Sequence, residues 1–132
     1  MPRFMVLIKA NSQSEAGIMP SEKLQADMST YNDELINAGV RLVAEGLWPS
    51  SKAARVTFRD GAATVVDGPF TETKELIAGF WILQCKTLEE CVEWVKRVPV
   101  EALPGATNDG EILIQQVIDW DDFVQAQHEV DS

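Results

Sequence analysis

The chain has 132 residues, 45% hydrophobic and 24% charged, which is the balance of one globular domain long enough to bury a core. Its formal net charge is −10, with 21 acidic residues against 11 Lys and Arg. That excludes nucleic acid and anionic membrane surfaces as expected partners, because both are bound through clustered Lys and Arg.

Residues 3–9 are nearly all apolar (Phe4, Met5, Val6, Leu7, Ile8) and read as a strand buried on both faces. The run is too short for a signal-peptide core or a membrane span, so the expected location is the cytoplasm. Residues 10–19 are polar and read as a loop. Ser21 is the expected N-cap of a helix whose buried stripe is Leu24, Met28, Tyr31 and Leu35, and which Gly39 ends. Residues 40–47 form a second strand that carries Arg41 and Glu45 on one alternation, followed by a loop over 48–52.

Asp60-Gly61, between residues 55–59 and 62–66, is a strong two-residue hairpin signal. Next comes the stretch around which the chain is organised, residues 67–81. Gly68 offers a backbone shape that other residues avoid, and Pro69 fixes its own φ. Asp67, Glu72, Lys74 and Glu75 crowd the turn, and an apolar strand over 79–85 follows. Thr87 with Glu90 has the spacing of a capping box, before a stripe of Leu88, Cys91, Val92 and Val95. Residues 99–110 read as a loop and 111–118 as the last strand. Residues 1–120 make the domain, and 121–132 an acidic tail with at most one helical turn.

With the hairpin set aside, the order is βαββαβ, an α+β fold of ferredoxin-like arrangement. Two helices cover one face of a four-stranded sheet, yet residues 4–8 and 80–85 are apolar on both faces. A second copy of the chain is the simplest cover, so a homodimer is expected.

Asp67-Gly68-Pro69-Phe70, followed by Thr73-Lys74-Glu75 and Gly79-Phe80, resembles the DGPF family, a branch of the YCII-related domain proteins. Residues 5–9, 31–35 and Gly46-Leu47 with Pro49-Ser50-Ser51 share the resemblance, which covers nearly the whole chain. It implies a dimeric α+β barrel built from ferredoxin-like halves. Related proteins are thought to use a His and an Asp in a pocket at the sheet, and some are lyases or dehalogenases acting on small lactones. This chain departs from that dyad: its one histidine is His128, and Trp48 stands where many members have His.

Besides a vestigial pocket that leaves only the dimer, the residues themselves support two classes of function. In one, Asp67 is a proton-transfer group of a cofactor-independent lyase, isomerase or hydrolase, with Lys74 or Arg41 holding an anionic group. In the other, a binding or regulatory domain takes a small organic metabolite, with Arg41, Glu45, Trp48, Ser50, Ser51 and Lys74 as ligand contacts. Each residue also has a plainer reading. Asp67 bonds its own turn, the serines stabilise theirs, and Lys74, Arg41 and Glu45 face water. A nucleophilic Ser needs an adjacent base, and there is no Gly-x-Ser-x-Gly elbow. Cys85, Cys91 and His128 make no metal-ligand pattern, and no Gly-rich phosphate loop is present, so no metal and no cofactor are expected.

Overall fold

In the computed structural model, which describes residues 1–100 and 110–131, the two most apolar runs become the central strands of one sheet. The expected loop at 99–110 lies for the most part outside the described residues. Strands β1 (Arg3–Lys9) and β5 (Ile77–Gln84) pair antiparallel, flanked by β6 (Ile112–Gln116) and β2 (Arg41–Gly46), in the order β2-β5-β1-β6. Every pairing in it is antiparallel. The edges β2 and β6 are not joined, so the described chain closes no barrel.

Alternation sorts the side chains of β1 and β5. Phe4 and Val6 lie opposite Leu83 and Trp81 on one face, all of them buried, while Met5 and Leu7 lie opposite Ile82 and Phe80 on the other, only half-buried. Helices α2 (Glu22–Asn37) and α3 (Leu88–Val95) cover the first face, where Tyr31, Leu35 and Cys91 join Phe4, Val6, Trp81, Leu83 and Cys85 in the core. Tyr31 stands edge-on to Trp81 at 5.8 Å and donates to the Trp94 carbonyl at 2.7 Å. Trp81 Nε1 donates to Asn32 at 2.9 Å. Burial pushes the Tyr31 hydroxyl up to about 12. Burial, then the neighbouring Cys85, pushes the Cys91 thiol up to about 12 as well, and Cys85 is raised by burial and by Glu90.

The caps follow the sequence, with one shift. Ser21 accepts the Leu24 N–H at 3.0 Å, and Gly39 takes φ 72° beyond the end of α2. Thr87 accepts the Glu90 N–H at 3.1 Å, but the Glu90 carboxylate takes the N–H of Lys86 rather than that of Thr87. Leu88 is exposed rather than part of the α3 stripe.

Two segments differ from expectation in their local structure. Residues 10–19 contain a short helix, α1 (Ser12–Glu15), because Asn11 accepts the N–H groups of Gln13 and Ser14 while Ser14 Oγ accepts the Asn11 N–H. The tail is a longer helix than one turn, α4 (Trp120–Asp131), begun by Asp119, which accepts the Asp121 N–H at 3.1 Å. The face of Trp120, Phe123 and Val124 that gives it helical periodicity is exposed.

Between β2 and β5 the chain leaves the sheet. Strands β3 (Ala54–Arg59) and β4 (Ala62–Asp67) form a separate two-stranded ladder, turned by Asp60 and Gly61 at φ 53° and 78°. Every residue of this arm is exposed.

Candidate functional site

The arm is fixed to the body at its base, by polar bonds rather than apolar burial. A 3₁₀ turn over Ser50–Lys52 follows β2 and brings Ser50 inside, 5% exposed, where it is the one buried polar residue among those described. Its N–H donates to Glu15 Oε1 at 3.0 Å and its hydroxyl to Glu15 Oε2 at 2.5 Å. The same Oγ accepts the Phe70 N–H at 2.9 Å. Three segments distant in sequence, α1, the turn after β2 and the turn after β4, therefore meet on one hydroxyl. Charge-assisted bonds of this kind are the stronger ones, and they meet the cost of burying the hydroxyl.

Gly68 is required here for a different reason from the one its sequence suggests. It does not have positive φ; those glycines are Gly17, Gly39 and Gly61. Instead, a Cβ at Gly68 would overlap the Ser50 carbonyl oxygen and crowd that of Ala53. The Gly68 N–H donates to the Ala53 carbonyl at 2.8 Å, and the Gly68–Pro69 peptide is cis.

Two cation–aromatic pairs flank the junction. Lys52 Nζ lies 4.3 Å from the ring centre of Trp48, itself 73% exposed. The Arg55 guanidinium lies 4.2 Å from that of Phe70 and forms an exposed ion pair with Glu75 at 3.7 Å.

The residues singled out in the sequence fall into two sets. Trp48, Ser50, Ser51 and Asp67 gather at the base of the arm. Asp67 is the exposed last residue of β4, opposite Ala54 and next to the Gly68 turn. Lys74 lies in a second 3₁₀ turn, Thr73–Glu75, and is exposed. Arg41 and Glu45 do not share a face as their four-residue spacing implied. A bulge between Arg41 and Val43 shifts the register, so Arg41 lies opposite the buried Leu83 while Glu45 lies opposite Phe80 on the open face. Glu15, Arg55 and Phe70 are the contributors that sequence reasoning missed. The one signal for Glu15 was the Asn11–Ser14 cap that places it in a helical turn. Two open depressions on the helical side, one lined by Asp27, Tyr31, Glu34 and Arg97 and the other by Glu90, Glu93 and Trp94, hold none of these residues.

Among the described residues no helix is long and apolar enough to cross a membrane. An uncharacterized protein of Rhizobium meliloti (strain 1021) is 32% identical over 75 residues, a stretch that covers 57% of this chain and 60% of that protein. The chain thus spans less than two thirds of the relative it matches. The model of the YCII-related domain matches residues 2–121, a span that includes α1, the turn after β2 and the turn after β4, and this chain belongs to that family.

Proposed function

We propose that this chain is a small-molecule-binding domain of the DGPF branch of its family, and that it takes a small organic metabolite at the junction around Ser50. One observation carries the reading: three segments converge on a single buried serine at the base of an otherwise exposed arm. A buried hydroxyl with its bonds satisfied, holding exposed loops in place, is what a preorganised binding loop requires. Lys52 and Arg55 bring positive charge to an acidic chain, and Trp48 and Phe70 bring flat apolar surface. Arg41, Glu45, Ser51 and Lys74 remain further contacts to test by substitution.

The working unit is a homodimer of ferredoxin-like halves that together form an α+β barrel. The strand order supports the ferredoxin-like reading. The open face, with Met5, Leu7, Val43, Phe80 and Ile82 half-buried, supports a second copy as its cover. Two buried free thiols suit a reducing, cytoplasmic setting. Proton transfer by Asp67 in a lyase-, isomerase- or hydrolase-type enzyme is the alternative, favoured by its place beside the junction.

Titrating the protein with neutral and anionic metabolites, read by tryptophan fluorescence with Trp48→Phe as control, tests the binding site. Binding that Lys52→Ala and Arg55→Ala weaken is expected. Binding indifferent to both, or no binding at millimolar ligand, overturns it. Light scattering at micromolar protein tests the dimer, and a stable monomer overturns that part.

A further inference from the structure

Ser50 presents two donors to one carboxylate, each matched to one oxygen: N–H to Oε1 at 3.0 Å and Oγ–H to Oε2 at 2.5 Å. The fork that would recognise an organic acid is therefore already filled, by a group of the chain itself. The segment that supplies this group is weakly held. Helix α1 has four residues and buries none of them, far below the length at which a helix is stable alone. Among the described residues, the hydrogen bonds that leave residues 11–19 are those between Glu15 and Ser50. Ile18 and Met19 on the same segment are 55% and 72% exposed, so apolar packing does not hold it down either.

We propose that Glu15 is an internal stand-in for the carboxylate of the ligand, and that α1 is a lid which yields the Ser50 fork to a monocarboxylate. The inference rests on the binding reading above and names the class of its ligand. The exchange conserves hydrogen bonds. One carboxylate leaves the two Ser50 donors and another takes them, while the Phe70 N–H keeps its acceptor at Ser50 Oγ. Lys52, in the same turn as Ser50, and Arg55, stacked on Phe70, supply charge of the sign an incoming carboxylate needs. The exposed face of Trp48 offers a flat apolar contact for the rest of such a molecule. A tethered carboxylate competes at a high effective concentration, so the free protein binds a dissolved carboxylate less tightly than the fork allows.

Sodium benzoate is the probe, with neutral benzamide and sodium chloride at matched ionic strength as controls. Wild type, Glu15→Ala, Glu15→Gln and Ser50→Ala are compared by affinity, by melting temperature and by the amide NMR shifts of Ser50 and Phe70. Benzoate is expected to bind Glu15→Ala about tenfold or more tighter than wild type, the size set by removing an intramolecular competitor. It is also expected to restore the Ser50 amide shift and raise the melting temperature of that variant, with Ser50→Ala losing the effect. Should Glu15→Ala not fold, Glu15→Gln serves: it keeps the shape but turns an amide donor toward a Ser50 donor, and benzoate is again expected to bind tighter than to wild type. Equal benzoate affinity in wild type and both Glu15 variants, or rescue matched by benzamide or chloride, overturns the proposal. A neutral metabolite that binds through Lys52 and Arg55, with benzoate blind to Glu15, overturns it and leaves the binding reading standing. Benzoate rescue of Glu15→Ala supports it even if no natural metabolite binds the wild type.

Discussion

Val6 on β1 and Val65 on β4 are the same residue in the same kind of antiparallel ladder, yet the first is 0% exposed and the second 63%. Both strands obey the same alternation. In the arm, Val56 lies opposite Val65 and Phe58 opposite Ala63, an apolar face as regular as that of the central sheet. The difference is the second layer. Helices α2 and α3 lie over Val6, and among the described residues nothing lies over Val65. A two-stranded ladder with a good turn is only marginally stable by itself, and removal of apolar surface from water needs a partner. What orders the arm at its base is instead the polar junction at Ser50, a few bonds of defined direction. The two regions therefore differ in what breaks them.

Leu83→Ala should give the largest effect, because Leu83 is fully buried in the helix-covered layer. A loss of about 2–5 kcal/mol in denaturant unfolding is expected; a loss no larger than that of an arm residue would erase the distinction between the regions. Alkaline pH strikes the same layer. Tyr31 and Cys91 have pKa values raised to about 12 from 10.0 and 9.0. The folded state therefore holds these protons more tightly than the unfolded one. Their contribution is complete below about pH 9 and declines as pH rises toward about 12, while neutral pH leaves it intact. Unfolding curves followed from pH 8 upward check the sign, and a stability that rose across that window would contradict it.

At the base of the arm, Gly68→Ala forces a Cβ into the Ser50 carbonyl and should cost about 1–3 kcal/mol, as overpacking does. An unchanged melting temperature would mean that the turn can move away from Ser50. Ser50→Ala leaves the Phe70 N–H without its acceptor and should cost about 1–2 kcal/mol. The smallest effect belongs to the arm itself. Phe58→Ser, at a position 78% exposed, should change stability by no more than about 0.5 kcal/mol. A larger loss that depends on protein concentration would show that a second copy covers the arm.

The sequence made the central sheet legible because its signals are local. The alternation of 80–85, the Met28, Tyr31 and Leu35 part of the α2 stripe, the Gly39 stop and the Asp60-Gly61 turn each concern a few adjacent residues and are where they were expected, while Leu24, in the first turn of α2, stays outside the core. Half of the junction was legible in the same way, since Ser50 and the Gly68 turn stood out as turn residues. Their meeting was not, because it depends on how far the loops travel before they pack. Glu15 carried no mark of its own; its role comes from a partner 35 positions away. The bulge at Arg41–Val43 was hidden for a related reason. A register shift is a property of a pair of strands, and Arg41 and Glu45 alone keep an even spacing.

Gly46 at the end of β2 and Gly79 in β5 are directly paired. The excursion that carries the arm and both site turns therefore begins and ends at neighbouring points of the sheet. Joining such points by a tight turn costs little chain entropy, and lengthening the loop adds only slowly to that cost. The body of the fold and the excursion between β2 and β5 are thus separable as parts. A shortened chain with a tight hairpin between β2 and β5 keeps every ladder of the four-stranded sheet, and a different excursion can be spliced in without redesigning the core. Glu15 marks the limit of that modularity. It lies on the connection between β1 and α2, outside the excursion, so a transplanted arm meets its carboxylate only on a host whose first loop carries one.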